Sequence, residues 1–145
     1  MNKTNITNLI DLSDIDVHFA KFVTSFDKSD NPDIFLAAAF VSRATGDGDG
    51  YLDLNSIARK PILLDINGED RFKIPKLSEW LKTLSQSQVV GRPGEFCPMI
   101  LDEKNRLYLY RYWDYENRLS STIKSRIKED IQGIDRSILK DSLIR

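Results

Sequence analysis

The first sustained apolar pattern in the chain is LSDIDVHFAKFVTSF, where Ile15, Phe19, Phe22, Val23 and Phe26 recur at helical spacing and predict a helix with one apolar face. Ser13 and Asp16 stand three apart at its start. At that spacing a hydroxyl and a carboxylate satisfy the unpaired N–H groups of a helix N-terminus, as in a capping box. In SDNPDIFLAAAFVSRAT, Asp30 or Asn31 caps, and Pro32 suits the first helical position. Residues from Phe35 to Val41 are apolar nearly all round, which predicts a central buried helix, and Ala37, Ala38 and Ala39 permit a close neighbour. YLDL alternates, with Leu52 and Leu54 on one face, and predicts a short strand. Residues 55–60 fit one helical turn before Pro61 stops it. ILLDINGEDRF is ambiguous, a short apolar piece followed by an Asn67-Gly68 turn signal.

From Pro75 the helical period returns, with Leu77, Trp80, Leu81 and Leu84 on one stripe. VVGRPGEFCP reads as a loop. PMILDEKNRLYLYRYW predicts a hairpin: Met99 to Leu101, a polar turn at Asp102–Asn105, then a second strand. There Leu107 and Leu109 face one way, and Arg106, Tyr108, Tyr110 and Tyr112 the other. A helix follows, with Tyr115, Leu119, Ile123, Ile127 and Ile131 four apart. The last piece, DRSILKDSLIR, is amphipathic and stops at Arg145 without a cap or polar tail, which points to a longer parent chain. The pattern as a whole predicts an α+β fold, mostly α: a small helical domain with a β-hairpin and a short extra strand. Its organisation reads as a polar lead-in over 1–11, a helical domain with the hairpin over 12–112, and a helical segment over 113–145.

Composition adds bounds to this picture. A chain of 145 residues, 41% hydrophobic and 30% charged, is sized and composed as one ordinary globular domain. Cys97 stands alone, so no internal disulfide forms and a cytoplasmic home is the default expectation. No run is apolar enough to span a membrane, and MNKTNITNLI lacks a signal-peptide core. Charge is uneven: residues 1–103 hold 11 Lys/Arg against 16 Asp/Glu, a net of −5, whereas residues 104–145 hold 10 against 6, a net of +4. Four positive charges suit an acidic partner or nucleic acid, or simply a solvated helix face.

Candidate chemistry is sparse. GDGDGYLDLNSI imitates an EF-hand loop, but with Gly50 at the turn position the loop's first and last ligands become Thr45 and Ser56, which cannot complete a calcium shell. A Gly/Asp turn between helix and strand explains it better. Gly91 and Gly94 flank Pro93, yet the chain holds no Gly-Lys-Ser/Thr triplet, so a phosphate-cradling loop is not expected. His18 and Cys97 are far apart in sequence with nothing to orient them, and no catalytic or metal-binding residue is assigned. The richest surface is the aromatic and basic run from Arg106 to Arg118. Its tyrosines could cover the domain's own core, form a protein interface, or stack on single-stranded DNA. The residues singled out for partner binding are Tyr108, Tyr110, Arg111, Tyr112, Trp113 and Tyr115.

The stretch VVGRPGEFCPMILDEKNRLYLYRYWDYENRL resembles the N-terminal region of the alpha subunit of exodeoxyribonuclease V, the RecD family, with its Gly-Arg-Pro-Gly, Pro-x-x-Leu and Arg-Leu-Tyr-Leu-x-Arg-Tyr-Trp-x-Tyr-Glu elements. Upstream, LSDIDVHFAKFV, FLAAAFVSRATGDGDGYLDL and LSEWLKTLSQSQVV fall in the family's order, so the resemblance covers residues 12 to 128. It implies a subunit of an ATP-dependent helicase–nuclease that acts at DNA ends in double-strand break repair and recombination. The region would be a non-catalytic assembly module that docks on the gamma subunit, with the nuclease site on the beta subunit. ATP and magnesium would belong to a helicase core further along the parent chain, with no cofactor in this piece, and DNA would be met through the full complex.

Overall fold

The structure, a computed structural model, describes the backbone at residues 12–59, 63–66 and 70–133, and the side chains at 12–59 and 74–128. The polar lead-in, the Asn67-Gly68 turn, the Ile131 side chain and the piece from 135 to 145 lie outside the described residues. The chain divides into two compact units, Met1–Trp113 and Asp114–Arg145.

The first unit is built on α1 (Asp14–Thr24) and α2 (Pro32–Gly46), which pack directly on each other. Ser13 caps α1 through the expected box: its Oγ accepts from the Asp16 N–H at 3.3 Å, and Asp16 Oδ2 accepts from the Ser13 N–H at 3.0 Å. Asn31 rather than Asp30 caps α2, its Oδ1 accepting from the Asp33 N–H at 2.9 Å. Ile34 and Leu36 to Val41 are buried, as the continuous apolar run predicts, and α2 is the core helix. Its C-terminus explains the Gly/Asp loop. Gly48 takes φ +95°, its N–H donates to the Thr45 carbonyl, and the Asp49 N–H reaches back to the Ala44 carbonyl at 2.9 Å. This pair of bonds is a Schellman motif, which needs a residue in the left-handed region and so favours glycine.

Beyond this cap come β1 (Leu52–Asp53) and α3 (Leu54–Ala58). The ambiguous stretch that follows resolves into an antiparallel pair, β2 (Leu63–Ile66) with β3 (Asp70–Lys73). In α4 (Leu77–Gln86) the stripe inserts Trp80 and Leu84, both fully buried, and the Trp80 Nε1–H donates to the Asp33 carbonyl at 2.9 Å. Each such side chain contributes on the order of 1.5–3 kcal/mol by leaving water. A four-stranded sheet in the order β1-β6-β5-β4 closes the unit, with β4 (Val90–Gly91) parallel to β5 (Met99–Leu101), and β5 antiparallel to β6 (Arg106–Leu109). The fold is α+β and mostly helical, as expected.

Three expectations need correction. VVGRPGEFCP is not all loop, because Val90 and Gly91 form the parallel edge strand and Val89 and Val90 are buried. The strand predicted to carry Tyr110 and Tyr112 ends at Leu109, and α5 (Tyr110–Gly133) starts at once. The third concerns α1, whose buried residues are Asp16, Ala20 and Val23, with Phe19 packed against the core, while Ile15 and Phe22, and Phe26 in the turn after the helix, stay largely in water. The inward arc includes a polar contact, the Ser42 hydroxyl on α2 donating to Asp16 Oδ1 at 2.8 Å.

The second unit continues α5 from Asp114. Arg118 Nε pairs with Asp114 at 3.0 Å, and the predicted stripe of Tyr115, Leu119, Ile123 and Ile127 is exposed.

Candidate protein-interaction surface

Within the first unit, three segments bring apolar side chains to one cleft of ≈ 540 Å³: Phe19, Phe22, Val23 and Phe26 from α1 and the turn that follows it, Phe96 to Pro98 from the β4–β5 loop, and Leu109 to Tyr112 from the β6–α5 junction. The volume falls in the range of about 300–1,000 Å³ typical of sites that enclose a ligand. Its aromatics pair by their edges. Phe22 and Phe26 lie 5.0 Å apart at 83°, and Phe96 and Tyr110 lie 4.8 Å apart at 73°. Tyr110 leads on to Trp113, with ring centroids 6.2 Å apart. The Tyr110 N–H donates to the Pro98 carbonyl at 3.0 Å, tying the loop to the first turn of α5. Phe96 is 87% exposed, Phe22 64% and Phe26 58%, an unusual amount of water-facing aromatic surface in one place.

The residues singled out from sequence separate here. Tyr110, Arg111 and Tyr112 line the cleft, and Trp113 adjoins it through Tyr110. Tyr108 does not, being 4% exposed within the sheet. Its hydroxyl lies 3.4 Å from Asp102 Oδ2, and the Arg106 guanidinium carbon sits 5.8 Å from its ring centroid and 5.1 Å from that of Tyr51. Arg106 also bonds Asp102 at 2.7 Å. That hydrogen bond is the main reason its guanidinium holds its proton more tightly than usual. This cluster fastens the hairpin turn, and its arginine is committed to the domain's own residues. Tyr115 belongs to the second unit and is exposed. The alternating tyrosine face needed to stack successive bases therefore does not form on β6.

Phe22, Phe26 and Phe96 are the members that the sequence reading missed. Phe22 on α1 and Phe26 just after it follow the same period as core residues, and Phe96 sits among turn residues. Its position between Glu95 and Cys97-Pro98, apart from any apolar run, was the available signal.

Two other clefts of the unit are more polar. A larger cleft of ≈ 860 Å³ is lined by Arg92, Lys104 and Arg106 against Glu95, Asp102 and Glu103, so its charges balance. The carboxylates of the EF-hand imitation have local work: Asp47 pairs with Arg43 at 3.2 Å, and Asp53 Oδ1 accepts from the Asn55 N–H at 3.0 Å. Among the described residues no His/Cys/Asp/Glu group gathers to hold a metal, and no helix is long and apolar enough to cross a membrane.

A family model described as RecBCD enzyme subunit RecD, N-terminal domain, matches residues 10–108, well over half the chain. The chain belongs to the RecD N-terminal domain family. The family match runs from just before α1 into β6, and so includes the α1 and β4–β5 walls of the cleft. Membership sets this RecD domain in the context of a RecBCD-type complex and of DNA repair and recombination. No curated protein matches the chain.

Proposed function

We propose that this RecD N-terminal domain is a non-catalytic assembly module that joins its subunit to the gamma subunit of an exodeoxyribonuclease V-like enzyme. ATP-driven strand separation and DNA cleavage then fall to other parts of the complex. The observation that supports this reading is the aromatic cleft. Contiguous exposed aromatics in one hollow are the composition of interface anchors, and a domain in a multi-subunit context has a partner to cover them. Two of the domain's arginines, by contrast, are paired with its own carboxylates, at Asp102–Arg106 and Arg43–Asp47.

The test is a binding measurement between the 145-residue chain and its cognate gamma subunit, with ATP turnover followed in parallel. Capture of the gamma subunit without ATP turnover is expected. A chain that leaves the gamma subunit unbound, or that hydrolyses ATP, refutes the proposal. Tight binding of an oligonucleotide that weakens steeply with salt would instead favour a single-strand DNA module.

A further inference from the structure

We infer that the cleft between α1, the β4–β5 loop and the start of α5 takes an apolar segment of a partner polypeptide that carries a carboxylate beside its anchoring side chains. This rests on the reading that the domain meets a neighbouring subunit, and it adds where and by what chemistry.

Charge names the occupant. Eleven residues line the cleft, and Arg111 is the one with a formal charge; the others are apolar apart from the two tyrosine hydroxyls and the Cys97 thiol. Arg111 is exposed, and none of the ion pairs found among the described residues uses it. A guanidinium at an apolar rim binds a carboxylate with two parallel hydrogen bonds, and exclusion of water by the surrounding rings strengthens the contact. A neutral apolar segment would cover this cation without compensating it, and a basic one would be repelled. Nucleic acid fits poorly, because one cation offers little to a phosphate chain and the rings meet edge to face rather than as parallel platforms. The anchors on the domain's side are Phe22, Phe26 and Phe96, which have the most exposed area to lose.

The loop geometry keeps the cleft in shape. Gly91 lies so close to the loop that an added Cβ would meet Cys97 Sγ at 2.8 Å, and Arg92 N–H is held by Glu95 Oε2 at 2.8 Å. Phe96 is thus carried on a loop pinned at both ends, here and at Pro98–Tyr110, and its ring needs little reordering when a partner arrives.

Two measurements on the full 145-residue chain decide the matter. In the first, a random-peptide phage library is panned on the wild-type chain and counter-selected on a Phe22→Ala/Phe96→Ala variant. Enrichment of peptides with large apolar residues and a nearby Asp or Glu is expected. No enrichment, or enrichment indifferent to acidic residues, overturns the inference. In the second, affinity for the cognate gamma subunit is compared among wild type, Phe96→Ala, Arg111→Glu and the control Lys82→Ala, an exposed residue of the same unit that does not line the cleft, with circular dichroism melts to check folding. Phe96→Ala and Arg111→Glu are each expected to weaken binding by about 10- to 30-fold, the scale of interface hot spots, and Lys82→Ala to leave it unchanged.

Gamma-subunit binding that ignores both cleft variants overturns the cleft and leaves the assembly reading intact. Peptide binding at the cleft without gamma-subunit binding removes the assembly reading and leaves the cleft chemistry. Two other occupants are also distinguishable. If sedimentation shows a dimer that Phe96→Ala dissolves, a second copy fills the cleft. If deleting residues 1–11 raises peptide affinity, the chain's own lead-in does. Either result overturns the inference.

Discussion

Asp16 holds two structures together with one carboxylate, and a double-mutant cycle can separate them. Oδ2 receives the Ser13 N–H and hydroxyl, at 3.0 and 2.8 Å, and closes the cap of α1. Oδ1 receives the Ser42 hydroxyl at 2.8 Å and clamps α1 to α2. The residue is 4% exposed, so a lost partner is not replaced by water. A hydrogen bond to a charged group contributes roughly 1.5–3 kcal/mol, and Ser42→Ala should cost about 2 kcal/mol. Asp16→Ala loses that bond and the cap, itself about 0.5–2 kcal/mol, and is partly offset because a buried charge is removed. A net loss of about 2–4 kcal/mol follows. With Asp16 absent, Ser42→Ala should cost little, so the coupling energy is expected at about 1–2 kcal/mol. Urea unfolding of wild type, both single variants and the double variant measures it, with m-values checked for constancy. Additivity within about 0.5 kcal/mol would show that the Asp16–Ser42 bond does not clamp α1 to α2.

Three further outcomes are expected. Trp80→Ala empties the centre of the domain and should cost about 3–5 kcal/mol in a denaturant melt, whereas Trp80→Phe, which forfeits mainly the bond to the Asp33 carbonyl, should cost far less; equal losses would contradict the packing described. Gly91→Ala places a methyl against Cys97 and Glu95 and should destabilise by about 1–3 kcal/mol, with only partial recovery in Gly91→Ala/Cys97→Ala because the Cys97 Cβ also lies at 3.0 Å; a neutral Gly91→Ala would refute the close approach. Burial, and then the Glu79 charge, hold the Asp33 carboxyl above its ordinary value of 3.8. The folded state therefore binds this proton more tightly than the unfolded chain, and the ionised group subtracts stability as pH rises through that region and above it. The melting midpoint of Asp33→Asn relative to wild type should rise over that window, and a pH-independent difference would refute the assignment.

Much of the architecture was legible because it depends on neighbours in sequence. The Ser13/Asp16 box, Pro32 opening α2, the Trp80/Leu84 stripe and the turn at Asp102–Asn105 are set by spacing and local hydrogen bonds, and all four appear where those rules place them. The Gly/Asp loop was legible as a turn, and the Schellman bonds at Gly48 give the reason. The candidate surface was half legible. Tyr110, Arg111 and Tyr112 could be singled out by composition, but their grouping with Phe22, Phe26 and Phe96 could not, since these residues lie far apart in the chain and meet through packing.

The division follows from the range of the forces. The sequence by itself determined which segments are helical, where they are capped, and that α2 lies at the centre, because propensity, capping and apolar period act within a few residues. Tertiary structure decided which arc of α1 turns inward, where β6 gives way to α5, and which tyrosine is buried. An apolar period states that a face seeks cover and is silent on what covers it. On α1 the inward arc carries a polar contact, a serine 26 positions away bonding the Asp16 carboxylate, while Phe22 and Phe26 stay in water.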